Sequence, residues 1–326
     1  MALRNMVQAL NWALRQEMAR DERVVVFGED VARQGGVFRV TEGLLEQFGS
    51  KRVFDTPVSE AGIIGISTGL ALAGMRPVCE IQFSGFMFNA FHQLGLMAAR
   101  YRSRSRGLYS VPMVVRAPWG GGVRALELHN ESEEAVYAQM PGVKVVIPSR
   151  PRRARALLVA SIRDPDPVVF LEPKRVYRSL REEVPDEEEV FPIGKAEIVR
   201  SGRNLTLITY GAFLQECLQA AELAERDFGV TIEVIDLLTI VPMDTRTIVE
   251  SVKKTGRCVI VHEAPRSCGI AAEIIARINE QCLLYLHAPI ARVTGYDIPY
   301  PFFAREHAYL PTIPRILDAI RRTLEF

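Results

Sequence analysis

One carboxylate, Glu60, stands in the run Asp55-Thr56-Pro57-Val58-Ser59-Glu60-Ala61-Gly62-Ile63-Ile64-Gly65, between a polar turn and a stretch of small and apolar residues. Asp55, Thr56 and Pro57 carry turn chemistry, and Ser59 is an N-cap by residue type. From Gly62 to Ala73 the pattern predicts a helix apolar nearly all round, which is the mark of a buried helix. A carboxylate drawn out of water in its first turn keeps a proton more readily, which suits acid/base work near neutral pH. The same residue also favours the positive end of the helix dipole with no chemistry at all. Spacing alone does not separate the two readings.

Other polar groups fall where open α/β sheets place their ligands, at the carboxyl ends of strands. Glu29 and Gln82 each follow an apolar strand, and the loop Trp119-Gly120-Gly121-Gly122 follows another. His129 lies downstream in Glu127-Leu128-His129-Asn130-Glu131-Ser132. A loop histidine there can donate a proton near neutral pH, or simply cap a surface turn. Phe86, Phe88 and Phe91 read as core, and Asp236, His262 and Glu263 as strand-end groups with structural hydrogen bonds. No GxGxxG follows a strand, and no P-loop or GxSxG elbow is present. Gly-Asp-Gly, the usual start of a magnesium–diphosphate motif, is missing too. A phosphorylated cofactor would therefore need help from another chain.

These groups are positioned by two runs of βα alternation, which predict parallel, doubly wound sheets in two α/β domains. In the first, Leu3, Val7, Leu10, Leu14 and Met18 mark one face of an opening helix. Strands are expected at 24–27, 76–81, 112–116, 143–148 and 168–171, with helices after Glu60 and over 86–102 and 152–163. Arg181–Glu189 holds six acids and one basic residue and reads as a solvated crossover. The expected boundaries are 1–180 for the first domain, 181–194 for a linker and 195–326 for the second. That second half repeats the pattern, with strands at 205–209, 232–237, 258–262 and 290–295 and a terminal helix over 311–324.

The chain has 40 basic and 39 acidic residues, a formal charge of +1, so no global field favours nucleic acid or membrane. The basic run Arg100–Arg106 reads as a solvated helix end or a contact to an acidic subunit. Five scattered cysteines without metal-type spacing read as buried free thiols of a reducing compartment. No secretory signal, transit peptide or uncharged membrane-length span is visible, so a cytoplasmic location is expected.

Several motifs occur as an ordered series: Gly28-Glu29-Asp30-Val31, Gly35-Gly36-Val37-Phe38, Asp55 to Glu60, Glu80-Ile81-Gln82-Phe83, Pro141 to Val146, Phe170-Leu171-Glu172-Pro173-Lys174, Glu233 to Leu237, Lys254-Thr255-Gly256-Arg257 and His262-Glu263-Ala264. In this the chain closely resembles the beta subunits of thiamine-diphosphate-dependent 2-oxo acid dehydrogenases, acting on branched-chain 2-oxo acids or pyruvate. The resemblance implies a pyrimidine-binding thiamine-diphosphate fold followed by a transketolase C-terminal-like domain. It implies an α2β2 heterotetramer in which the alpha subunit holds magnesium and the diphosphate, and a lipoyl-bearing acyltransferase core as acyl acceptor. Glu60 would bond N1′ of the aminopyrimidine, while Glu29, Val58, Ser59, Gln82 and Phe86 would line that ring. Phe83, Phe86 and His129 would face the substrate, with His129 catalytic beside Glu60. Ser161, Asp164 and Asp166 resemble the potassium site of some relatives; Asp164-Pro165-Asp166-Pro167 is otherwise a rigid turn.

The chain departs from the family pattern at Asn130 and Glu131, where Ser-Gln is usual, at Phe86, often Tyr, and at Gly85 and His92, usually Asp. Two alternatives follow: an acetoin dehydrogenase beta subunit, or a catalytically weak assembly subunit whose only support is the altered surroundings of His129.

Overall fold

A computed structural model describes residues 1–326. Its first sheet has seven strands; six are parallel, in the order Lys144–Val146, Val168–Pro173, Val114–Trp119, Arg76–Glu80, Val24–Gly28 and Val53–Asp55. The second sheet has five, with Ala291–Val293, Cys258–Val261, Leu205–Thr209 and Ile232–Asp236 parallel. The all-apolar strand Val24–Gly28 is buried throughout. Val24 and Val26 join one hydrophobic cluster, Val25 and Phe27 the other. That is the signature of a parallel sheet covered on both faces. Both clusters draw residues from both halves of the chain, so the two domains are packed together.

Each sheet ends in an antiparallel strand that the alternating pattern did not foretell. Thr239–Val241, from the second half, extends the first sheet beside Lys144–Val146. Glu197–Arg200 closes the second sheet. The acidic segment read as a solvated crossover begins as a strand: Arg181–Val184 pairs antiparallel with Ala2–Asn5. Leu3 accordingly belongs to a strand, and the opening helix runs from Met6 to Arg20, started by an Asn5–Gln8 capping box.

The helix expected over 86–102 is broken into a 3-10 turn (Ser84–Ala90), a π-helical turn (His92–Met97), a second 3-10 turn and a short α-turn ending at Arg104. Such interruptions frequently accompany functional sites. No helix is long and apolar enough to cross a membrane. Four cysteines are buried as expected, but Cys268 is exposed.

Candidate active site

Glu60 opens the helix Glu60–Leu72, immediately after the short strand Val53–Asp55 and its turn. The turn is fixed by Asp55, whose carboxylate accepts the Ala32 amide at 2.7 Å, and by Thr56 N–H, which donates to Gly28 O at 2.9 Å. Ser59 stands at the N-cap, yet its hydroxyl makes no capping bond. The helix is buried on one face only: Ile63, Ile64, Ser67, Thr68 and Ala71 point inward. Ser67 and Thr68 satisfy their hydroxyls on the carbonyls of Ile63 and Ile64. The opposite face, with Gly65, Ile66 and Gly69, is open, which corrects the expectation of a helix buried all round.

Glu60 is 7% exposed, and its Oε2 accepts a long hydrogen bond of 3.3 Å from Asn89 Nδ2. Glu29 directly follows the strand Val24–Gly28, 4% exposed, with Oε1 lacking any partner. Burial pushes the Glu29 carboxyl above its ordinary range, and the nearby charges of Glu60 and Asp30 push the same way. The structure thus brings Glu29 and Glu60 together as a carboxylate pair. Gln82 is held beside them by a bond of 3.1 Å from Nε2 to Asp30 Oδ2. Val58 and Ser59, just before Glu60, are exposed.

A second group adjoins. The Phe83 and His129 rings are 4.3 Å apart and the Phe86 and His129 rings 5.2 Å, all edge-on. Phe83 and Phe86 themselves meet at 5.8 Å. His129 Nδ1 lies 2.7 Å from Glu127 O. A carbonyl only accepts, so Nδ1 carries the proton and Nε2 of the neutral ring is left as an acceptor. The loop is tight: a Cβ on Gly85 would overlap Leu128 O and crowd the Glu131 side chain, so this backbone admits no Asp at 85. Of the phenylalanines read as core, Phe88 is exposed.

The glycine loop spends its amides on carboxylates of the second domain. Gly121 N–H donates to Glu263 Oε1 at 2.9 Å and Gly122 N–H to Glu306 Oε1 at 2.8 Å, both carboxylates from the second domain. Gly120 has φ +77°, and a Cβ there would collide with the Glu263 carboxylate, which is why glycine is needed at this contact. Glu263 meets the structural expectation. Asp236 does too, accepting from Ser149 at 2.7 Å. His262 does not: both ring nitrogens are buried without partners, and burial pushes its pKa down to about 4.

Three features escaped the sequence reading. Arg116 is buried between Glu80 and Glu172, at 2.8 and 2.7 Å, with Tyr177 donating to Glu172 at 2.6 Å. Lys174, 4% exposed, has no hydrogen-bond partner for Nζ and lies 5.8 Å from the Phe83 ring centre. Burial pushes its pKa down to about 8 against the opposing pull of Glu263, Glu133 and Glu131. Glu133 and Glu134 are buried just beyond His129, pushed up by burial to about 7 and about 8. The only outward signal was Lys174 within the motif Phe170–Lys174; charged residues otherwise read as surface.

At the expected cation site the three side chains already have protein partners. Ser161 gives its hydroxyl to Leu157 O at 2.7 Å, Asp164 is neutralised by Lys144 at 2.6 Å, and Asp166 is held by Arg102 at 2.6 Å. No group of three or more His, Cys, Asp or Glu side chains is gathered for a metal. The Arg102–Asp166 pair also accounts for part of the basic run, as does Arg104, which donates to Leu96 O at 2.8 Å.

Residues 3–179 match the transketolase pyrimidine-binding domain and residues 194–316 the transketolase C-terminal domain. The chain is 52% identical to the pyruvate dehydrogenase E1 component subunit beta of Staphylococcus epidermidis and 51% identical to that of Staphylococcus aureus, each over 326 residues and 100% of both chains. Among solved structures, a split-gene transketolase described as an inactive beta4 tetramer superposes with a TM-score of 0.80 at 19% identity, covering 98% of each chain.

Proposed function

The chain belongs to the family of 2-oxo acid dehydrogenase E1 beta subunits, and from that premise we propose that it is the beta half of a thiamine-diphosphate-dependent oxidoreductase that decarboxylates pyruvate. The observation that carries the reading at the site is the buried Glu29–Glu60 pair, one of whose oxygens has no partner, at the edge of an aromatic wall. An orphaned buried carboxylate oxygen fits a ligand with an N–H donor, such as the exocyclic amino group of the aminopyrimidine. When bound, thiamine diphosphate supplies the electron sink for breaking the bond between the carboxylate and the keto carbon of a 2-oxo acid.

This chain's residues have separate tasks. Glu60 would exchange a proton with N1′ of the ring, and Glu29, Val58, Ser59 and Gln82 would border it. Phe83 and Phe86 would exclude water beside it. His129, its tautomer set by Glu127 O, orients the substrate side through Nε2. The glycine loop beside this site is not free to hold a diphosphate, because its amides are taken by Glu263 and Glu306. That supports an alpha subunit that supplies the magnesium–diphosphate site in an α2β2 assembly. So do the open Gly65–Ile66–Gly69 face and the exposed side chains of Val58 and Phe88. The acyl product passes to a lipoyl-bearing acyltransferase, and the location is cytoplasmic. The Staphylococcus relatives, named for pyruvate, support that substrate over acetoin.

The test is to purify the chain alone and with the alpha chain of the same source, and to measure carbon dioxide release from pyruvate, branched-chain 2-oxo acids and acetoin cleavage in parallel. Activity on pyruvate is expected only from the mixture. Full activity of the single chain, or an inactive but assembled tetramer, overturns the reading.

A further inference from the structure

A cavity of about 720 Å³ lies between the strand Ala2–Asn5, the opening helix and the loop before Leu44. Its lining includes Arg4, Arg15, Arg39 and Arg178, against a single acid, Glu42, together with Trp12. Arg4 stacks over Trp12 at 4.8 Å and is neutralised by Asp186 at 2.6 Å. The other three arginines have no carboxylate partner. Arg15 donates to the carbonyl of Glu42 at 2.7 Å and the side-chain oxygen of Asn11 at 2.8 Å. Arg39 donates to Gln34 O, and Arg178 to Phe38 O at 3.0 Å.

Neutral oxygens fix the orientation of a guanidinium without cancelling its charge. Three fixed and uncompensated guanidinium groups around one concavity make a preorganised receptor for multiply charged oxyanions, because the planar donor fork matches phosphate geometry. The volume lies within the range of small-ligand sites. The residues that form it are not those of the Glu29–Glu60 pair or of the His129 group.

We propose that this cavity is a second ligand site, which takes a small oligophosphate such as a nucleoside di- or triphosphate. Arg39 and Arg178 grip the phosphates, and Arg15 completes the positive wall.

The test uses the assembled complex with its alpha partner, saturated with thiamine diphosphate and magnesium so that the catalytic diphosphate position is filled. Pyrophosphate and ATP are each titrated calorimetrically at low and at physiological salt. Saturable binding that weakens as salt rises is expected, at one site per copy of this chain. Arg39→Gln with Arg178→Gln should weaken it at least tenfold. Because those arginines also hold loop carbonyls, a second variant guards against simple misfolding. Gln8→Glu adds a carboxylate to the cavity wall while a Glu at that position preserves the capping box with Asn5. It should weaken binding about tenfold with an unchanged melting temperature. Tighter binding of ATP than of pyrophosphate identifies a nucleotide as the ligand class, and equal binding a bare oligophosphate. Absence of saturable binding, or unaltered affinity in Gln8→Glu, overturns the proposal.

Discussion

Ser132 donates its hydroxyl to Glu263 Oε1 at 2.6 Å, from the loop of the first domain that carries His129 to a strand end of the second. The same oxygen accepts Gly121 N–H, so one buried carboxylate ties the glycine loop and the His129 loop to the other domain. Ser132→Ala removes one hydrogen bond to a buried charged group. The expected loss is about 1.5–3 kcal/mol, read as a fall in the urea midpoint at constant slope. An unchanged midpoint would mean that the link contributes nothing.

Beyond Ser132 the acid cluster gives the fold a pH dependence of definite sign. Glu134 is pushed by burial from 4.5 to about 8, and Tyr210 donates to it at 2.6 Å. Between those two values the native state alone holds the proton. Unfolding releases it, so stability falls as pH rises from about 5 to 8, by about 1.4 kcal/mol per pH unit for each fully protonated group. Glu133, pushed to about 7, adds to the same decline up to that pH. Lys174, lowered from 10.5 to about 8, works oppositely: above pH 8 the unfolded chain binds the extra proton and its contribution to stability rises. Glu134→Gln keeps an acceptor for Tyr210 and cannot ionise. Urea midpoints from pH 5 to 8 should therefore fall less steeply in the variant than in the parent chain, and equal slopes would contradict the assignment.

The buried Glu80–Arg116–Glu172 group offers a stability test at the centre of the first sheet. Glu80 and Arg116 are direct neighbours on parallel strands, and Glu172 reaches Arg116 from the next strand. Arg116→Met fills a similar volume but leaves two carboxylates buried and uncompensated. A loss of about 3–5 kcal/mol is expected, with acidic pH partly restoring stability as the carboxylates protonate. Removing all three charges together, as Glu80→Gln, Arg116→Met and Glu172→Gln, should cost less than the single change.

These same residues show where sequence reasoning stops. Strands such as Val24–Gly28 and Leu205–Thr209 were legible because burial on both faces leaves an unbroken apolar run. The pairing of Ala2–Asn5 with Arg181–Val184 was not, because a half-exposed ribbon of charged residues carries no apolar signal. Nor were the edge strands Glu197–Arg200 and Thr239–Val241, which depend on partners distant in sequence. Glu60, Glu29 and His129 could be picked out one by one from strand ends and turns. Their surroundings could not, because the π-helical break at His92–Met97 and the inter-domain bonds of Glu263 are tertiary facts. Arg116 and Lys174 were hidden for a further reason: a charged side chain reads as solvated until the structure shows it buried.

The sharpest test of the chemistry is Glu60→Gln. The substitution preserves shape and leaves an oxygen for Asn89 Nδ2, so the helix start and the adjoining Glu29 should stay in place. What it removes is the capacity to hold and return a proton. In the assembled complex, thiamine diphosphate binding, followed by its spectroscopic change, should survive within about tenfold, while carbon dioxide release falls at least about a hundredfold, the lower range for a lost acid/base group. Binding and turnover lost together would make Glu60 a structural anchor of the site. Near-normal turnover would take it out of the mechanism, and the role would then pass to Glu29, the one neighbouring carboxylate already raised by burial.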